Sequence, residues 1–198
     1  VWHTADLADP EATLALVRRV RPDYVFHLAS TVTGARDPAI VRATLDGNLG
    51  AAVNLLTAAT EVPMRRLVLA GSVEEPREGD PTPQSPYAAA KWAATGYARL
   101  FHSLWGVPVT VLRVAMVYGP DQPDTSKLVP YVTLRLLRGE DPAVSSGTRL
   151  VDWVYVDDVV EAFLRAAEVE AAAGRVLDVG GGRQVTVRET VELLARIA

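Results

Sequence analysis

Short runs of β-branched and apolar residues alternate along the chain with longer stretches of helical periodicity, the order expected of βα units on a parallel sheet. Positions 24–29, 67–70, 109–113 and 176–179 read as buried strands. Asp9 followed by Pro10 is an N-cap and first helical position, and Leu14, Leu16, Val17 and Val20 supply an apolar stripe up to Arg21-Pro22. A longer helix is predicted over 39–60. Another starts at Pro86 or Tyr87 and runs to Trp105, where Gly106-Val107-Pro108 stops it. Asp157-Asp158 opens a helical stretch through Phe163 and Ala167, and Thr186 with Glu189 forms a capping box before a final helix.

Two stretches break this rhythm. Residues 73–86 form a polar, Pro-rich loop between a strand and a helix, the place where parallel α/β sheets build their sites. Residues 119–150 contain Gly-Pro, Gln-Pro, Asp-Pro and Ser-Ser-Gly and read as a smaller substrate-covering region with a helix near 128–138.

Composition narrows the function classes. The 198 residues carry 20 Lys plus Arg against 24 Asp plus Glu, a formal charge of −4, with 49% hydrophobic and 22% charged residues. That balance fits a water-soluble protein with a core and argues against a basic nucleic-acid-binding surface. The absence of Cys excludes a disulfide framework, a Cys-based zinc site and a thiolate nucleophile. His3, His27 and His102 show no paired metal-ligand spacing. No apolar run approaches the ~18–20 residues of a membrane span, and the first residues do not resemble a signal peptide, so the expected compartment is cytoplasmic. The chain lacks an initiator Met and is expected to be a piece of something longer.

Tyr87 and Lys91 stand four residues apart, on one face of the predicted helix and one turn from each other. A tyrosine of ordinary pKa near ~10 is a poor base at neutral pH, and a neighbouring cation favours its phenolate. Lys91 is therefore expected to tune Tyr87 for proton transfer to or from a hydroxyl or carbonyl. The chain has six Tyr and two Lys; random placement gives this spacing with a chance of roughly 0.06. An ordinary surface helix is the alternative. Ser72 follows the strand at 67–70 and brings a hydroxyl to the strand's C-terminal end.

Strand, Ser72, loop, then Ser85-Pro-Tyr87 and Lys91 on a helix resembles the extended short-chain dehydrogenase/reductase family, the NAD-dependent nucleotide-sugar epimerases and dehydratases. Further matches follow in order: Asp6-Leu7-Ala8-Asp9, Val25-Phe-His-Leu-Ala29, Asn48 with Asn54, Leu112 to Pro120, Asp152 to Asp158, and Val179-Gly-Gly-Gly182. The resemblance implies a Rossmann-like, doubly wound parallel α/β sheet whose N-terminal βαβ unit is missing, with a small C-terminal substrate-binding region. Residues 1–118 and 151–168 would form the partial dinucleotide-binding core, and 119–150 with 169–198 the substrate region. Tyr87 would be the acid/base, Lys91 its partner and a ribose ligand, and Ser72 a hydrogen-bond donor to the reacting oxygen. Asp6 would accept from the adenine amino group and Leu7 would offer its backbone N–H. Leu28, Ala29, Ser30, Asn48 and Val114 would line the cofactor, NAD or NADP, which carries the hydride. Asp6 as a plain turn carboxylate, Leu28 and Ala29 as sheet core, Asn48 and Asn54 as helix-surface amides, and His27 as a locally satisfied strand histidine are the simpler readings, and Asn54 is left out of the site. Homodimerisation through the helices at 39–60 and 87–105 is a further implication.

The chain departs from that pattern in places. The GxxGxxG loop that cradles a pyrophosphate does not occur, so these 198 residues alone are expected to bind NAD(P) poorly or not at all. Met116 stands where the family commonly has Asn, and Val151 where it commonly has a phosphate-binding Arg. Lys127 and Arg149 are the cations expected to compensate on a phosphate-bearing nucleotide-sugar, with plain surface charges as the alternative. After Ser72, Val73-Glu74 replaces the Asp-Glu pair of the 4,6-dehydratases; Glu74 is the one candidate base or substrate contact there. Epimerase or 4-keto-reductase chemistry, which needs Ser72, Tyr87, Lys91 and the cofactor, is the first expectation. A 4,6-dehydratase and a catalytically silent dinucleotide-binding relative are the alternatives.

Overall fold

The computed structural model describes residues 1–77 and 82–198. In chain order its elements are α1 (Pro10–Val20), β1 (Tyr24–His27), α2 (Val41–Thr44), α3 (Ala51–Glu61), β2 (Arg66–Ser72), α4 (Pro86–Trp105), β3 (Val109–Val114), β4 (Met116–Tyr118), α5 (Leu128–Leu137), β5 (Leu150–Tyr155), α6 (Val156–Glu168), β6 (Val176–Val179), β7 (Gln184–Thr186) and α7 (Val187–Ile197). Two compact units divide the chain: Val1–Val114 with Glu161–Asp178, and Ala115–Val160 with Val179–Ala198. Among the described residues no helix is long and apolar enough to cross a membrane.

The first unit is built on a sheet of order β1-β2-β3-β6, in which β1 pairs parallel with β2 and β2 with β3. Alternate residues of the central strands, Leu67, Leu69, Val109 and Val111, share one buried cluster with Val17, Leu56 and Phe101 from α1, α3 and α4. The opposite strand face carries Val68, Thr110 and Leu112, each at most 1% exposed. There the Thr110 hydroxyl donates to the Ala172 carbonyl at 2.7 Å, and the buried Arg66 guanidinium donates to Thr110 Oγ1 at 3.1 Å and to the Val169 carbonyl at 3.2 Å. Helical segments therefore cover both faces, the doubly wound arrangement expected.

The helix predicted over 39–60 is interrupted. A 3-10 turn at Pro38–Ile40 leads into α2, and a π-helical turn at Leu45–Gly50 separates α2 from α3. A π turn holds one extra residue per hydrogen-bonded ring, and here it carries the buried Asn48. At Gly47 a Cβ would collide with the Thr31 side chain.

In the second unit β4 pairs parallel with β5 (Met116 opposite Trp153), and β5 pairs antiparallel with β7 (Val151 opposite Val185). The capping box forms as expected: the Glu189 N–H donates to Thr186 Oγ1 at 3.1 Å and the Thr186 N–H donates to Glu189 at 2.7 Å. Trp153 Nε1 donates to Thr190 Oγ1 at 3.0 Å, tying β5 to α7. The unit boundaries lie elsewhere than in the sequence division. Residues 115–118 and 151–160 join the second unit because β4 and β5 pair there. Residues 169–178 join the first, where Arg66 and Thr110 bond the chain after α6 and β6 lies beside β3.

Candidate active site

β1 ends at His27, opposite Leu69, and the parallel β2 runs on to Ser72, so the loops after both leave the carboxyl edge of the sheet. Ser72 is buried opposite Val114, and a tight turn forms around it. Its N–H donates to Glu75 Oε1 at 2.8 Å, its hydroxyl oxygen accepts the Glu74 N–H at 3.1 Å, and its carbonyl accepts the Glu75 N–H at 3.1 Å. The next helix, α4, begins on Ser85, whose Oγ accepts the Ala88 N–H at 3.1 Å, with Pro86 in the first helical position. That cap fixes Tyr87 in the first turn and Lys91 one turn further on.

The Lys91 ammonium is 5% exposed, donates to the Ala70 carbonyl at 2.8 Å and lies 5.7 Å from the centre of the Tyr87 ring. Burial pulls its pKa down to about 8, against the opposing pull of the Glu75 carboxylate. The side chains of Ser72 and Ser30 act on the Tyr87 hydroxyl and favour its phenolate. Its pKa is raised, chiefly by burial and further by the charges of Glu74 and Glu75, while the serine contacts act the other way. The expected lowering of the phenol by Lys91 is therefore not what this structure shows. Four residues of spacing place the cation near the ring but carry no information on burial, which dominates.

Ser30 leads back to the π turn. Its hydroxyl donates to Asn48 Oδ1 at 2.5 Å, and Asn48 Nδ2 donates to the carbonyls of Thr31 at 3.1 Å and Thr44 at 2.9 Å. Asn48 is thus a buried amide with both ends engaged, not a helix-surface one. His27, 4% exposed, lines a small cavity with Asn48, Ala70, Lys91 and Thr95. Its Nε2 has no hydrogen-bond partner among the described residues, so it is not locally satisfied. Burial, helped by the Lys91 charge, lowers its pKa to about 4, which leaves the imidazole neutral at pH 7.

Asp6 sits in an exposed turn and accepts the Ala8 N–H at 2.9 Å. Asn54, left out on sequence grounds, holds that turn by donating to the Leu7 carbonyl at 2.8 Å. Leu28 is 62% exposed and Ala29 is exposed too, because β1 ends before them; neither is sheet core. Val114 is half-buried and its carbonyl accepts the Val73 N–H at 3.2 Å. Glu74 is exposed. In the second unit, Met116 opens β4, Lys127 caps α5 with its ammonium 3.7 Å from Asp124, and Arg149 is exposed just before β5. Val151 is 5% exposed. Sequence reasoning missed Glu75, which is 2% exposed beneath Ser72. The available signal was Gly71, a glycine inside a buried strand that leaves room for a neighbouring group. Among the described residues no cluster of three or more His, Asp or Glu is placed to hold a metal ion.

A parallel sheet wound on both faces, with Ser72, Tyr87 and Lys91 gathered at its carboxyl edge, defines a Rossmann-like α/β protein with a polar site where such folds take their ligands. Residues 1–180 match the NAD dependent epimerase/dehydratase family, and the chain belongs to that family. It is 32% identical over 200 residues to the UDP-glucose 4-epimerase of Mycolicibacterium smegmatis, an alignment covering 93% of this chain and 63% of that protein. The solved structure of a UDP-glucose 4-epimerase with UDP-glucose from Thermotoga maritima superposes with a TM-score of 0.85 at 31% identity, covering 100% of this chain and 68% of the other. A double mutant of a dTDP-glucose 4,6-dehydratase from Streptomyces venezuelae, solved with NAD bound, gives a TM-score of 0.81 at 28% identity over 97% of this chain and 62% of that one. The family and the fold expected from the motifs are thereby established. The chain spans a little under two thirds of the length of the curated relative, 63%.

Proposed function

We propose that this chain carries the proton-transfer site of an NAD(P)-dependent nucleotide-sugar 4-epimerase or 4-keto-reductase. The observation that carries the reading is Tyr87 one helical turn before Lys91, whose buried ammonium lies 5.7 Å from the centre of the phenol ring, with the side chains of Ser72 and Ser30 acting on the hydroxyl. NAD or NADP, when bound, supplies the acceptor and donor of hydride. The residues present fit such a group. The Leu7 N–H makes no hydrogen bond among the described residues, Asp6 has only one carboxylate oxygen engaged there, and Leu28 and Ala29 offer exposed apolar surface at the end of β1. Lys91 has spent one of its three donors on Ala70 and keeps two for ribose hydroxyls. Asn48 serves by fixing Ser30, and Val114 lines the edge beside Ser72.

Tyr87 moves the proton. With its pKa raised the phenol is protonated at neutral pH, the form that donates to a ketone oxygen as a sugar carbon is reduced. The reverse direction starts from the phenolate, which takes the proton of the sugar hydroxyl. Ser72 donates to the same oxygen and orients it. Within the second unit, Met116, Lys127 and Arg149 are the substrate-contact candidates that family resemblance supplies, the two cations being suited to a phosphate. Val73, in the place of a dehydratase acid, and the exposed Glu74 favour epimerase or reductase chemistry over elimination. A second copy of the chain covers α4, whose Tyr97, Leu100 and Leu104 form one face and are 42%, 41% and 62% exposed.

The test is incubation of the full-length protein with NAD or NADP and a panel of UDP-, dTDP-, GDP- and CDP-sugars, with products read by NMR. Inversion or reduction at the sugar carbon is expected. A 4-keto-6-deoxy product would make the protein a dehydratase, and cofactor binding with no turnover would make it a silent relative.

A further inference from the structure

Among the described residues Glu75 is the only buried carboxylate. Its surroundings are fitted to it. Oε1 accepts the Ser72 N–H at 2.8 Å, and Oε2 accepts the hydroxyl of Thr95 at 2.8 Å, which lies one turn after Lys91 on α4 and is 5% exposed. The space it fills exists because residue 71 is glycine. A Cβ there would stand 2.7 Å from Glu75 Oε1, 2.9 Å from Val111 Cγ1 and 3.2 Å from Arg113 Cγ. Burial raises the pKa of the Glu75 carboxyl, while its bonds from Ser72 and Thr95 and the charges of Arg113 on β3 and Lys91 on α4 pull the other way and favour the carboxylate. Arg113 is already engaged by Asp178 at 2.7 Å, an aspartate it shares with Arg77 at 2.8 Å. Lys91 has His27 on β1 beside it, which is neutral, and Tyr87 on its own helix, which is uncharged. The carboxylate that acts on Lys91 is Glu75.

We propose that Glu75 is a positioning residue for this site, fixing the Ser72 peptide through Oε1 and supplying the buried negative charge that balances the Lys91 ammonium. The proposal rests on the reading of Ser72, Tyr87 and Lys91 given above. A buried lysine sheds its proton easily, and an opposite charge nearby restores the charged form. The same negative charge also favours the protonated phenol of Tyr87. One carboxylate thus keeps both proton-bearing groups of the site protonated, without touching substrate or cofactor.

The experiment uses the full-length protein labelled with ε-13C-lysine. The Lys91 signal is assigned by its loss in the Lys91→Arg variant. Lys91 should titrate with a midpoint of about 8. Glu75→Gln keeps an acceptor for the Ser72 N–H but removes the charge, and should lower the midpoint by about one unit, the low end of the effect of a close opposite charge. Glu75→Asp, which keeps the charge, should restore part of it. Thr95→Val, which withdraws a donor from the carboxylate, should produce a smaller fall in the same direction and serves as the readout if Glu75→Gln does not fold. In the turnover assay Glu75→Gln should lower kcat with little change in KM and move the pH profile to lower pH. A Lys91 midpoint unchanged by both Glu75→Gln and Thr95→Val would overturn the proposal. The titration needs no turnover, so a protein that shifts as expected but lacks activity would refute the functional reading and leave the role of Glu75 standing.

Discussion

His27 and Lys91 line the same small cavity, and burial drives both toward their neutral forms. For His27 the folded pKa of about 4 lies below the ordinary 6.5. Its contribution to stability is therefore complete above pH 6.5 and is lost as the pH falls through about 4, because the unfolded chain binds the proton first. The shift corresponds to about 3 kcal/mol at most. Urea unfolding from pH 7 to pH 4 should show a steeper loss of stability in wild type than in His27→Gln; parallel curves would exclude a buried neutral histidine. At this scale the sequence disclosed the Tyr87 and Lys91 pair, because helical spacing is a local property. It did not disclose Glu75, whose burial depends on a turn closing over Gly71 and on Thr95 of another element. Nor did it disclose that burial, rather than Lys91, governs the phenol.

The elements that position the site were legible where local chemistry sets their ends. Asp9 caps α1 through the N–H groups of Glu11 and Ala12, and Gly106 ends α4 with φ of 66°, a left-handed conformation that suits glycine. Ser85 is the cap with a functional consequence, since Tyr87 lies in the turn it secures. Ser85→Ala should cost about 1 kcal/mol and lower turnover as well, measured by urea unfolding alongside the sugar-nucleotide assay. Lost stability with unchanged turnover would separate the cap from the site. The π turn at Leu45–Gly50 was not legible, since its extra residue is accommodated by the Asn48 bonds to Thr31 and Thr44 and by the close approach of Gly47 to Thr31. β4 and β7, three residues each, are too short to give a period, and β5 alternates imperfectly around Asp152.

Across the whole molecule, ordered motifs carried the assignment to a family further than any single residue did, because a parallel α/β sheet fixes which loops share its carboxyl edge. The cuts between compact units were harder to read. They follow strand pairing between segments distant in sequence, as when β6 comes to lie beside β3. The exposed apolar face of α4 predicts a homodimer of the full-length protein by light scattering, converted to monomer by Leu100→Glu with Leu104→Glu; an unchanged mass would place that face elsewhere. Proton transfer in this site depends on Tyr87. The most direct measurement is single-turnover reduction of bound NAD, followed at 340 nm, when the full-length protein or its Tyr87→Phe variant is mixed with the nucleotide sugar that the panel identifies. Removing the phenolic proton carrier should slow the step by roughly 10²–10⁴-fold with dinucleotide affinity retained. A Tyr87→Phe protein that reduces NAD at the wild-type rate would contradict the account.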